Sequence, residues 1–460
     1  MAATNPTAEA TTATAPATWQ PRLVAFVCNW CTYSGADLAG TSRTTHRANV
    51  RIVRLPCSGR IDPHFIIRAF EQGADGVLVS GCHPGDCHYT AGNYYARRKF
   101  TIFRALVDFL GLEPERLQFS WVSAAEGKKW AEVVDDVTAG LLRVGPLAPA
   151  WGQSDGEPPA LPTSSAEATP PALDLTAALR DVAGGLLADG SAQMVVGFGA
   201  GALPGRMRAV FANSVAKVDQ LVWNEHCTAN LATYLTREMV KKRGTIGLVV
   251  KGCDARSVVG LLQEKQLARE QVKLIGVECH GVAVDGALAA KCRTCDVHLP
   301  LLADAVVSAS DQPSAPAPTD GAVLAAELAA LEALPAAERR AYWQAQFDRC
   351  LRCYACRAAC PLCYCAQCIA DKNRPQWIPT SAHGAGNLAW NLFRALHLAG
   401  RCVGCNECAR ACPAGLRLDL LNARLAQVVE REFGYVAGRD PEAAPPLTTF
   451  RETDHEDFIR

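Results

Sequence analysis

The chain has 460 residues, 49% of them hydrophobic, with 46 Lys+Arg against 46 Asp+Glu and a formal net charge of zero. That balance removes the electrostatic case for nucleic acid or an anionic membrane as a partner, and the length points to two to four domains. No stretch is long and apolar enough to span a bilayer, and the 21 cysteines come without a secretion signal, so a reducing, cytoplasmic setting and metal ligation are expected rather than disulfides.

In chain order, Met1 to Gln20 is rich in Ala and Thr and reads as a disordered tail. Two stretches rich in Pro, Ala, Ser and Gly, 144–172 and 308–320, read as linkers. They divide the chain into 20–143, 173–307 and 321–460. In the first part Leu23–Val27, Val50–Leu55, Val77–Ser80 and Leu117–Val122 read as short buried strands. Helices are expected between them, over Pro63–Gln72, Tyr94–Leu110 and Ala124–Leu142. This alternation predicts an α/β unit with a parallel sheet. The middle part repeats the pattern as a second α/β unit. Its expected strands are Met194–Phe198, Gln220–Trp223, Ile246–Val250 and Lys273–Val277, and its helices Asn230–Lys241 and Ala255–Gln266. The third part opens with a helical stretch, Ala322–Phe347, and adds helices over Asn387–Leu398 and Leu418–Phe433 around its cysteines. It is expected to be an α-helical dicluster ferredoxin-like domain.

The cysteines follow the same division. Cys28 closes the first strand, Cys31 follows in C-N-W-C, Cys57 lies past the second strand, Cys82 closes the third and Cys87 lies in the next loop. All five therefore gather at the C-terminal edge of one parallel sheet, where open α/β sheets place ligands. Four thiolates hold a 2Fe–2S cluster, and spacing does not choose which four. His83 and His88 directly follow Cys82 and Cys87, but the C-x-H and C-x-x-H boxes of a Rieske centre are absent. They read as outer hydrogen-bond donors or surface residues, as do Asp86 and Arg60. The boxes C-N-W-C-T-Y-S-G-A-D-L-A-G-T-S-R, L-P-C-S-G-R-I-D-P and G-C-H-P-G-D-C-H-Y-T-A-G-N make residues 22–130 resemble the delta subunit of methyl-viologen-reducing hydrogenase. The resemblance implies a 2Fe–2S cluster. It also implies electron transfer between a hydrogenase or formate dehydrogenase and the flavoprotein subunit of heterodisulfide reductase.

In the middle part, Cys253 follows a strand in V-V-K-G-C-D-A-R, Cys279 follows the next in I-G-V-E-C-H-G, and Cys292 and Cys295 form C-R-T-C. These four could hold a third 4Fe–4S cluster, with Cys227 able to replace one of them; partly structural cysteines are the alternative. The K-G-C-D-A-R and I-G-V-E-C-H-G boxes are similar to the beta subunit of deazaflavin-coenzyme-reducing hydrogenase and methanogen formate dehydrogenase. That likeness implies FAD, with no residue contacts assigned. G-F-G-A-G-A at Gly197–Ala202 lacks a following helix and reads as a turn.

The third part carries the most specific signal. Cys350, Cys353, Cys356 and Cys360 precede Pro361, and Cys402, Cys405, Cys408 and Cys412 precede Pro413. Each is a C-x2-C-x2-C-x3-C-P run, in which the fourth cysteine serves the other cluster. Two 4Fe–4S clusters are expected, on Cys350, Cys353, Cys356 and Cys412 and on Cys402, Cys405, Cys408 and Cys360. Cys363, Cys365 and Cys368 follow at once and are either further ligands or packing. The whole reads as an electron-transfer subunit between a hydrogenase or formate dehydrogenase and a heterodisulfide-reductase-like flavoprotein. The alternative is an FAD-containing oxidoreductase subunit that exchanges hydride with a deazaflavin or nicotinamide coenzyme.

Overall fold

The computed structural model describes residues 19–147, 173–293, 295–309 and 322–460, together with Leu161 and Pro170. Most of the expected tail and of both expected linkers lies outside the described residues. The first unit runs β1 (Leu23–Cys28), α1 (Thr32–Thr41), β2 (Val50–Leu55), α2 (Pro63–Glu71), β3 (Gly76–Gly81), α3 (Gly92–Phe109), β4 (Leu117–Trp121) and α4 (Gly127–Val144). Its four strands are all parallel, in the order β2-β1-β3-β4. The apolar run of β3 is buried at every residue, as a strand covered on both faces requires. Trp130, Val134 and Leu141 of α4 close a small core over Leu23, Ala25 and Leu78 on one face. On the other face Ile66, Phe70, Phe100 and Phe103 of α2 and α3 cover Phe26, Val77 and Val79. Asp62 caps α2 by accepting from the His64 N–H at 2.9 Å, and Pro63 pre-sets its first turn.

The second unit runs α5 (Thr176–Ala188), β5 (Met194–Ala200), β6 (Met207–Ala212), α6 (Glu238–Lys241), β7 (Ile246–Val250), α7 (Gly252–Gln263) and β8 (Val272–Val277). A small hairpin, β9 (Ala283–Val284) with β10 (Ala287–Leu288), and a last strand, β11 (Ala305–Val307), follow. The sheet order is β11-β8-β7-β5-β6, with β6 antiparallel at one edge. Two expectations differ. Gln220–Trp223 is not a strand, because β5 turns straight back into β6, which takes the sheet edge. Leu221 and Trp223 are buried as irregular chain, and the Trp223 N–H donates to Thr176 Oγ1 at 3.0 Å. The long helix over Asn230–Lys241 is likewise absent. Asn230 accepts from the Ala232 N–H and starts a short 3₁₀ turn at Leu231–Tyr234, and Arg237 is extended before α6 begins. The Gly197–Ala202 segment is the end of β5 and its turn, closed by Gly201 N–H to Arg206 O at 2.7 Å, and no helix follows it directly.

The third unit contains α8 (Ala322–Ala333), α9 (Ala336–Asp348), α10 (Ala355–Ala359), α11 (Gly384–Leu398), α12 (Glu407–Arg410) and α13 (Leu418–Phe433). The stretch expected as one helix from Ala322 to Phe347 is two. Pro335 supplies no N–H and pushes the residue before it out of the helical region, so α8 ends and α9 restarts after it.

These helices pack directly on the first unit. Trp343 of α9 is buried against Phe109 of α3 and donates its indole N–H to Phe109 O at 3.0 Å. Gly111, at φ 85°, admits this approach, since a side chain there would meet Ala336 O at 2.2 Å. His64 of α2 stacks on Phe393 of α11 at 3.6 Å. The C-terminal residues return to the first sheet, where Arg460 N–H donates to Phe119 O and Trp121 N–H to Arg460 O, both at 2.9 Å. One hydrophobic core therefore runs through residues of all three units. Among the described residues no helix is long and apolar enough to cross a membrane. Trp343→Ala removes the centre of the junction between the first and third units and is expected to lower stability by about 3–5 kcal/mol, read by denaturant unfolding.

Candidate metal centres

The first sheet delivers its cysteines by topology. Cys28 is the last residue of β1, Cys31 precedes the first turn of α1, and Cys82 immediately follows β3, the strand beside β1. Their sulfurs lie within 4.8 Å of one another, with Cys28 Sγ and Cys82 Sγ 3.4 Å apart. The Cys31 N–H donates to Cys28 Sγ at 3.4 Å. Cys57 and Cys87 make a second contact, Sγ to Sγ at 3.7 Å, and the Cys57 sulfur lies near enough to Cys28 to feel its charge. All five stand at the carboxyl edge, as a close triad beside a pair.

The electrostatics follow from this crowding. The hydrogen bond from Cys82 pulls the Cys28 thiol down to about 5, against burial. The same bond, with burial, pushes Cys82 far up. Burial raises Cys57 to about 11. One thiolate is favoured and the others wait on a positive charge, which is the behaviour of a donor set that fits a cationic metal centre. A second observation fits the same group. Gly92 opens α3 flush against the pair, and a Cβ there would lie 2.4 Å from Cys57 Sγ and 3.2 Å from Cys87 Sγ. The neighbouring histidines are engaged elsewhere. His83 contacts Glu126 Oε2 at 2.7 Å, and His88 stacks on Trp30 at 3.9 Å.

The middle sheet repeats the arrangement. Cys253 lies in the first turn of α7, Cys279 follows β8, and Cys292 and Cys295 follow the small hairpin. All four line one cavity of 380 Å³, together with Lys251, Lys291 and Cys402 of the third unit. Burial pushes the Cys279 thiol up to about 12 and Cys253 well up. Cys227 does not line this cavity. It is fully buried and its sulfur meets Val222 O at 3.8 Å. Lys251 is buried with Asp254 at 2.8 Å, and Lys291 donates to Thr228 O at 2.8 Å while approaching Glu407 at 3.6 Å.

In the third unit the two cysteine runs share one backbone geometry. Arg352 and Tyr354 flank Cys353 with φ of 54° and 59°, and Gly404 and Asn406 flank Cys405 with φ of 72° and 54°. These left-handed residues curl each loop tightly around its central cysteine. Cys356 lies in the field of Cys350, Cys412 and also Cys408. Cys405 and Cys408 both feel Cys402 and Cys360. The thiols of the two runs therefore act on one another across the runs, Cys356 with Cys408 and Cys412, and Cys360 with Cys405 and Cys408. Cys353 is exposed at its loop tip. Asn422 Nδ2–H donates to Cys408 Sγ at 3.4 Å, and Leu416 N–H to Cys412 Sγ at 3.5 Å. Of the remaining three, Cys363 lies against Cys360, Cys365 is exposed, and Cys368 neighbours Arg357, which pairs with Asp371 at 2.9 Å. Asn422 and Lys291 are not singled out by the sequence pattern, and Gly92 lies in the G-C-H-P-G-D-C-H-Y-T-A-G-N box without that box showing its contact with the sulfurs.

A thiol-lined edge on a parallel sheet, coupled to two curled four-cysteine loops, is the architecture of an iron–sulfur protein. Residues 23–145 match the family described as methyl-viologen-reducing hydrogenase, delta subunit. This segment is 50% identical over 129 residues to an iron-sulfur subunit of the F420-non-reducing hydrogenase of Archaeoglobus profundus, covering 28% of this chain and 94% of that protein. The corresponding iron-sulfur subunit of the vhc F420-non-reducing hydrogenase of Methanococcus voltae is 49% identical over 128 residues, 28% of this chain and 89% of that one. A subunit of the ferredoxin/F(420)H(2)-dependent CoB-CoM heterodisulfide reductase of Methanosarcina acetivorans is 40% identical over 146 residues, 32% of this chain but 18% of that protein. Through its first unit the chain belongs to the hydrogenase delta-subunit family.

Gly92→Ala drives a methyl group into the Cys57–Cys87 pair. The expected outcome is loss of about two irons per chain, read by iron and sulfide analysis, with unchanged far-ultraviolet circular dichroism. Asp254→Ala leaves Lys251 buried without its carboxylate and is expected to cost about 3–5 kcal/mol in denaturant unfolding.

Proposed function

We propose that this chain is a multi-cluster iron–sulfur subunit that carries electrons between a hydrogenase and a heterodisulfide-reductase-like flavoprotein, with formate dehydrogenase as the alternative donor. The observation that carries this reading is the shared cavity. Cys402 of the third unit and Cys253, Cys279, Cys292 and Cys295 of the second line the same 380 Å³ space. Donor sets from two units that meet in one space favour a relay over isolated structural sites.

In this reading the first unit holds a 2Fe–2S cluster on four of Cys28, Cys31, Cys57, Cys82 and Cys87. The second holds a 4Fe–4S cluster on Cys253, Cys279, Cys292 and Cys295. The third is a ferredoxin-like unit with two more, on Cys350, Cys353, Cys356 and Cys412 and on Cys402, Cys405, Cys408 and Cys360. When bound, such clusters supply one-electron transfer. The chain's own residues orient the thiolates, exclude water by burial and set the local charge. N–H groups aimed at sulfur, from Asn422, Leu416, Cys31 and Gly59, disperse thiolate charge. The partners rest on relatives whose names place them in a hydrogenase, as an iron-sulfur subunit, and in a heterodisulfide reductase.

Iron and acid-labile sulfide analysis after anaerobic reconstitution tests the count. The expected value is about fourteen irons per chain, and about ten would remove the middle cluster. Release of stoichiometric flavin from the same preparation would overturn the pure relay in favour of hydride exchange.

A further inference from the structure

Arg394 is the single Lys, Arg, Asp or Glu on α11, a helix whose residues from Gly386 to Leu396 are all buried. Its exposure is 4%. One of its terminal N–H groups donates to Cys356 O at 3.1 Å. Its Nε is buried and has no partner among the described residues. A buried guanidinium without a counter-charge is strongly disfavoured. Three other buried arginines avoid that state, since Arg98 meets Asp454, Arg97 meets Glu456 and Arg116 meets Glu113, while Arg352 is held by neutral oxygens of Gly386, Pro379 and Tyr354. Arg394 meets sulfur instead. The groups that act on its charge are Cys408, Cys360, Cys356 and Cys363.

These thiols come from both sites. Cys356 belongs to the loop of the first run, and Cys408 and Cys360 belong to the set gathered around the second. Phe393, the preceding residue, is stacked on His64 of the first unit, which fixes the rotation of α11 and so aims the next side chain inward. Asn387, two turns earlier on α11, donates to Cys350 O at 3.0 Å and ties the same helix to the start of the first run.

We propose that Arg394 is a positioning residue shared by the two four-cysteine sites, its guanidinium lying between them as the common counter-charge that sets both their reduction potentials. This rests on the reading of the third unit as a two-cluster domain. Reduction adds one negative charge to a cluster, and a buried cation nearby favours that added charge. A cation shared by both sites must therefore act on both at once.

The test is a redox titration of the reconstituted full chain, followed by electron paramagnetic resonance, in the wild type, Arg394→Leu and Arg394→Lys. In Arg394→Leu both midpoint potentials of the third unit are expected to fall, while the signal of the first unit's site stays in place. In Arg394→Lys, which keeps a point charge and loses the planar fork, both are expected to fall by less. Full iron loading with neither potential moved, or with one alone moved, overturns the shared role. If Arg394→Leu does not fold, unmoved potentials in Arg394→Lys do the same. A chain that loses no iron on Cys353→Ala and Cys405→Ala removes the two-cluster reading itself, and the arginine's role falls with it.

Discussion

The packing of α3 against the helices of the third unit is the constraint on which the relative positions of the cysteine sites depend. Phe109 and Gly111 at the end of α3 receive Trp343 and the start of α9. The side of α3 takes α13, where Arg98 is buried with Asp454 and lies over Phe433 at 4.9 Å. The same α3 begins at Gly92, against the sulfurs of Cys57 and Cys87. One 18-residue helix thus touches a metal-site candidate at its first residue and the third unit at its last. Movement of one unit against the other would have to break an aromatic core together with the ion pairs around it, Arg97–Glu456, Arg98–Asp454 and Arg340–Glu113 among them.

The second and third units are likewise joined by polar groups set into an apolar seam. Arg401 is paired with Glu264, Tyr364 hydrogen-bonds to the same carboxylate, and Arg256 donates to Ala437 O at 2.8 Å. Lys291 spans this seam, adjoining the middle cysteines through Cys292 and the second cysteine run through Glu407. Buried ion pairs add little net stability, but breaking one is costly, so they act mainly on register. Here the register they hold is that of Cys402 facing the middle cavity.

Buried charge is the second theme of the interior. Thiolates brought together repel, and burial alone drives their pKa values up, as at Cys356, Cys408 and Cys279. The structure places cations where those groups converge: Lys251 and Lys291 by the middle set, Arg394 by the paired runs. Arg394 belongs to no cysteine motif, whereas Lys251 opens K-G-C-D-A-R and Lys291 directly precedes Cys292. Each comes from a helix or turn whose position is set by packing.

Much of the architecture is legible in the chain. The parallel sheet of the first unit follows from four short apolar runs separated by helical periods. The alternation also places Cys28, Cys57 and Cys82 past strand ends, which puts them on one edge in any parallel sheet. The spacing of the last eight cysteines, each run ended by proline, carries the expectation of two four-cysteine loops by itself, because loop geometry within a run needs only neighbouring residues. Local pattern misleads where the deciding partner lies elsewhere. Gln220–Trp223 has strand composition but loses the sheet edge to β6, and composition reports burial, not pairing. In Ala322–Phe347 the break is local, since Pro335 itself ends α8, and the apolar period continuing across it hides what the proline shows. Local pattern determined which residues are donors and which strand ends carry them. Only the tertiary structure decided that Cys402 shares a cavity with the middle cysteines, that Gly92 lies against two sulfurs, and that Arg394 is buried against the Cys356 carbonyl. Those are contacts between distant segments, and their geometry is set by how helices pack, a property no short window of sequence contains.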